Sequence, residues 1–154
     1  MVEKDFRDLT VGEIHESMVG KPATVKEDAI LKDAVDAITQ DSTSHKVYVV
    51  DEEGKLKGAI TIETLLKHVG YIVGVRETGM ISFFKFLSGV LKENVSEIME
   101  QPVTITNRHK VLDAVRLMVE NHLNDLPIID DENTLVGELN SLEIMVYAKS
   151  VFDK

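Results

Sequence analysis

The sequence predicts a mixed α/β fold built from two related β-α-β-β-α motifs, and three observations carry that reading. The chain repeats itself in order from Val11 to Met145. Apolar residues recur at helical spacing at the same places in each copy, and short apolar runs joined by Gly or Asn turns follow them. With 44% hydrophobic and 29% charged residues over 154 positions, such a chain can bury a core without covalent staples.

The first copy opens with Val11-Gly12-Glu13-Ile14, runs through Lys21-Pro22-Ala23-Thr24-Val25, and reaches Ile30 to Ile38. The second opens with Val95-Ser96-Glu97-Ile98, passes Gln101-Pro102-Val103-Thr104-Ile105, and reaches Lys110 to Met118. Each opening is read as a short helix and each proline segment as a strand. The next run is a helix, because Ile30, Ala34, Ala37 and Ile38 fall on one face, as do Val111, Val115 and Met118 in the second copy. Then come Val47-Tyr48-Val49-Val50-Asp51 and Leu126-Pro127-Ile128-Ile129-Asp130, a turn at Glu53-Gly54 or Glu132-Asn133, and Leu56 to Thr61 or Leu135 to Asn140. These are hairpins. A closing helix follows each, with Thr61 and Asn140 as N-caps. The offset between matched residues drifts only from 84 (Val11 to Val95) to 79 (Val47 to Leu126), so small loop changes account for it.

Taken together, this order resembles the cystathionine β-synthase (CBS) domain, twice over. The domain reading is a first CBS motif at 11–67, a connector at 68–94, a second motif at 95–145 and a helix end at 146–154. The resemblance implies that the two motifs pack by a pseudo-twofold axis into one disc-like module that forms a homodimer. It implies a regulatory, non-catalytic role, with an adenosine-containing metabolite such as AMP, ADP, ATP or S-adenosylmethionine held in the cleft between motifs and no required cofactor. The alternative is an interaction or oligomerisation module whose nucleotide sites have degenerated.

A helix N-terminus that follows a strand offers unpaired backbone N–H groups and a positive dipole end, which suits phosphate. In the family pattern a Thr or Ser there faces phosphate, and a carboxylate three residues on accepts from the ribose hydroxyls. Thr61 fits the first role, with Thr64 in place of the carboxylate; Asn140 replaces the hydroxyl in the second copy, with Glu143 as the acid. Losing one charge-assisted hydrogen bond weakens binding about tenfold or more. Asn140-x-x-Glu143 is also the spacing of a helix capping box, so a purely structural role stands beside the binding one. By the same resemblance the segments before the hairpins, His45 and Lys46 after Ser44, and Asn124 and Asp125, flank the ligand together with Pro22 and Pro102.

The stretch 68–94 holds Phe83, Phe84 and Phe86, and its apolar spacing predicts a helix over Met80–Leu91. It either packs as a connector or serves as a surface for a regulated protein partner. Gly70 to Arg76 before it is a candidate cleft border, with Arg76 as a phosphate fork.

Several classes are excluded. The absence of cysteine removes disulfides and thiolate chemistry, and a reducing, cytoplasmic setting fits. A formal charge of −10 argues against nucleic acid. No apolar run spans a membrane. His15, His68 and His109 lie far apart, without the spacing of a metal site. There is no glycine-rich phosphate loop and no nucleophile elbow.

Overall fold

A computed structural model describes residues 6–15, 21–40, 45–75 and 79–153. The chain divides into two compact units. One is the continuous stretch Pro22–Gln101; the other joins the described residues of Met1–Lys21 to those of Pro102–Lys154.

In the continuous unit, β1 (Thr24–Lys26) leads through α2 (Leu31–Gln40) to the hairpin β2 (Lys46–Val50) and β3 (Leu56–Thr61), followed by α3 (Ile62–Val75) and α4 (Met80–Val90). Helix α1 (Val11–His15) belongs to the other unit. The sheet order is β1-β2-β3, with β1 parallel to β2 and β2 antiparallel to β3. The hairpin turns because Asp51 Oδ1 accepts from the Glu53 and Lys55 amides, both at 2.9 Å, and Gly54 takes φ 84°. Those N–H bonds, that of Lys55 foremost, hold the Asp51 carboxyl below its usual range. Leu31, Ala34 and Ile38 of α2 pack on Val47, Val49 and Ile60 of the sheet, with Leu65 and Val69 of α3 closing the core. Helix α3 continues through Gly70 and Gly74, so the stretch read as a cleft border is helix, and Tyr71 on it is 75% exposed. Arg76 and Ser44 lie outside the described residues.

The second unit holds α1 (Val11–His15), α5 (Val111–Glu120), the antiparallel pair β4 (Asp125–Ile129) and β5 (Leu135–Asn140), and α6 (Ser141–Phe152). Its core joins Val11 and Ile14 to Ile105, Val111, Ala114, Leu126, Ile128, Leu139 and Ile144. The strand expected at Val103–Ile105 shrinks to one parallel bridge, Ile105 to Ile128. The cause is local: in the first unit the Tyr48 amide donates to the Ala23 carbonyl at 2.9 Å, whereas the matching residue Pro127 has no N–H to give.

The opening segment of each repeat packs on the body of the other. In one unit Leu31 donates to the Glu93 carbonyl and Val95 to the Ala29 carbonyl, at 2.8 and 2.9 Å. In the other Val111 donates to Leu9 and Val11 to His109, both at 2.8 Å. Glycine makes room for each segment: a Cβ on Gly58 would lie 2.8 Å from Met99 Sδ, and one on Gly137 would collide with the His15 ring. The second repeat's opening forms only a 3-10 turn, Val95–Glu97, capped by Asn94.

Candidate functional site

The hairpin register sets the first cluster. Lys46 at the start of β2 pairs across from Thr61 at the end of β3. Thr61 is the N-cap of α3, and its Oγ1 accepts the Thr64 amide at 3.0 Å and lies 2.9 Å from Thr64 Oγ1. The Ile62 amide donates to the His45 carbonyl at 3.1 Å. Lys46 Nζ stands 5.8 Å from the ring centre of the buried Tyr48. Because β1 runs parallel to β2 with Thr24 paired to Tyr48, Pro22 falls at this same end of the sheet. Pro22, His45, Lys46, Thr61 and Thr64 therefore gather at one edge.

The second cluster repeats the construction. Asp125 pairs across from Asn140, and the Ser141 amide donates to the Asn124 carbonyl at 2.7 Å. Asn140 Oδ1 accepts the Glu143 amide at 2.8 Å, and Glu143 Oε2 faces the Asn140 amide at 3.5 Å, completing a capping box. Glu143 is half-buried, and that burial pushes its carboxyl above the usual range against the opposing pull of the Asn140 amide and of nearby His15. Pro102 precedes the Ile105 bridge.

One expectation is corrected by these bonds. Of the first three amides of α3 and of α6, the first and third already have acceptors. The reason is the tight strand-to-helix corner, which brings the carbonyl before the hairpin and the cap side chain onto the helix end. Recognition of an anion therefore falls mainly to side chains.

Beside the second cluster, a groove of about 560 Å³ runs between α5 and α6, lined by Val115, Met118, Leu123, Asn124, Ser141 and Met145. His15 is the residue near Glu143 that sequence reasoning missed; Gly137, a glycine inside a strand and matched by Gly58 in the other copy, was the available sign of a close approach. Among the described residues no cluster of His, Asp and Glu could hold a metal ion, and no helix is long and apolar enough to cross a membrane.

This construction, built twice, is that of a paired α/β module with a polar cluster at each strand-to-helix corner. The chain belongs to the CBS domain family, whose model matches residues 11–71 and 95–149. An uncharacterized protein of Methanocaldococcus jannaschii is 26% identical over 86% of this chain, which spans only 42% of that relative's length. A CBS domain-containing protein of Thermotoga maritima has a solved structure with TM-score 0.72 and 32% identity, covering 93% of this chain and 96% of that one. CBSX2 in complex with AMP aligns at TM-score 0.68 and 20% identity, covering 93% and 98%. A CBS domain pair solved with 5′-methylthioadenosine and S-adenosylmethionine aligns at 0.67 and 21%, covering 90% and 98%.

Proposed function

We propose that the chain is a regulatory module that binds an adenosine-containing metabolite, drawn from AMP, ADP, ATP and S-adenosylmethionine, through the polar clusters of its CBS motifs. The observation that carries this is the duplication of the corner: each motif sets a cap side chain, an oxygen acceptor three residues on, and a charged residue across the hairpin at one edge. Similar folds solved with AMP, and with 5′-methylthioadenosine and S-adenosylmethionine, support the ligand class. Catalysis is not part of this reading; occupancy acts through any difference in affinity between two arrangements of the protein. Titration calorimetry and thermal melts of the full chain with these ligands at millimolar concentration test it. Heat of binding and a raised melting temperature are expected. No heat and no shift with any of them overturns it.

A second reading, an interaction module, is favoured by one observation on α4. Phe83 and Leu87 pack on the core of their unit, while Met80 and Ile81 are 76% exposed and Phe84 59%. Met80–Leu91 is the proposed surface for a regulated protein, and it fails if Ile81→Asp combined with Phe84→Asp leaves capture of that partner unchanged. We also propose a cytoplasmic homodimer, supported on its apolar side by exposed Leu142, Met145 and Phe152 on α6. Sedimentation velocity is expected to give a dimer for the unaltered chain.

A further inference from the structure

We propose that the two motifs divide their ligands by charge: the first accepts an adenine nucleotide through its phosphate, and the second accepts a nucleoside whose 5′ group carries no net negative charge. The inference rests on the function proposed above and adds which ligand class each motif takes.

The two hairpins hold matched residues at the same register positions, Lys46 across from Thr61 and Asp125 across from Asn140. Three matched pairs make the first cluster the less acidic one, and among the described residues only the His15 imidazole beside Glu143 opposes the contrast. An ammonium in the first is a carboxylate in the second (Lys46, Asp125). A hydroxyl is an amide (Thr61, Asn140), and the next hydroxyl is a carboxylate (Thr64, Glu143). The chemistry follows from those groups. A phosphate finds a cation and the one hydroxyl proton that the Thr61–Thr64 pair does not spend on itself in the first cluster, and meets two carboxylates in the second. Ribose hydroxyls find the stronger acceptor at Glu143, which can take both. A sulfonium in the 5′ position is drawn to an acidic surround, a neutral thioether is not repelled by it, and a phosphate is.

The backbone does not even out the contrast. Amides at Ile62 and Ser141 are held by the His45 and Asn124 carbonyls, and those of Thr64 and Glu143 by the cap side chains. Both helix starts are committed in the same way. Side-chain charge is then what separates the two clusters.

AMP and adenosine, which differ by the phosphate alone, are the probes for calorimetry on the full chain. Lys46→Met is expected to weaken AMP at least about tenfold and to leave adenosine within about threefold. Asp125→Lys, which reverses the charge in the second cluster, is expected to add a second AMP-binding event. A gain of this kind does not arise from misfolding. Unchanged AMP affinity in Lys46→Met, or no added AMP event in Asp125→Lys, overturns the division by charge while adenosine binding keeps the functional reading intact. If neither probe binds the unaltered chain, this inference falls, and the functional reading falls with it only when ADP, ATP and S-adenosylmethionine also give no heat.

Discussion

Glu143 serves two masters at the start of α6: its backbone and side chain complete a capping box, and its carboxyl is raised above 4.5 by burial. A folded-state value above the unfolded one means the native state holds more protons between the two. Stability from this group is therefore full below the unfolded value and is lost as pH rises through the folded one. Glu143→Gln keeps the cap and removes the charge. Urea melts are expected to show the variant gaining on the unaltered protein as pH rises from 4.5, with no further gain once the carboxyl is ionised. Two glycines predict opposite signs. Gly137→Ala drives a methyl into the His15 ring and is expected to cost about 1–3 kcal/mol. Gly70→Ala in α3 meets nothing within 4 Å and is expected to gain about 0.5–1 kcal/mol by helix propensity. Denaturant midpoints of the two variants check both. At this scale the caps Thr61 and Asn140 were legible, because N-cap chemistry is local. The contact between His15 and Gly137 was not, since its partners lie far apart in sequence.

The elements themselves show where local signals suffice. Helices α2 and α5 follow their apolar spacing, and α4 begins at Met80 as that spacing predicts. The strand expected before α5 is absent because strand formation depends on a partner, and the partner offers Pro127 where an amide is needed. That proline was visible in the Leu-Pro-Ile-Ile run; its consequence appeared only once the register was known. Helix α5 ends on His122 at φ 53°, with the Leu123 amide on the Met118 carbonyl at 2.8 Å and the His122 amide on Val119 at 3.4 Å. This is the Schellman ending, whose left-handed position favours glycine. His122→Gly is expected to stabilise the protein by about 1 kcal/mol, measured by thermal or urea unfolding.

For the whole molecule, the repeat boundary and the packing boundary differ. Similarity between copies marks where each motif starts, but it carries no information on which body the opening segment packs against. The hydrogen bonds of Leu9 and Val11 to Val111 and His109 settle that for the first segment. Ile14, fully buried in that core, tests it: Ile14→Ala is expected to cost about 2–5 kcal/mol. Hydrogen exchange is expected to show the lost protection in α5, β4 and β5, with β2 and β3 much less affected. Greater loss in β2 and β3 would count against the exchange of segments. The same exchange sets an order of events during synthesis. Residues 22–101 emerge as one continuous stretch that holds all the partners of its own core, whereas Val11 and Ile14 must wait for Leu139 and Ile144 to be made. The first-made residues of this core are thus among its last to find their places, and the apolar pair Val11 and Ile14 stays uncovered until the partners near Leu139 and Ile144 have been made.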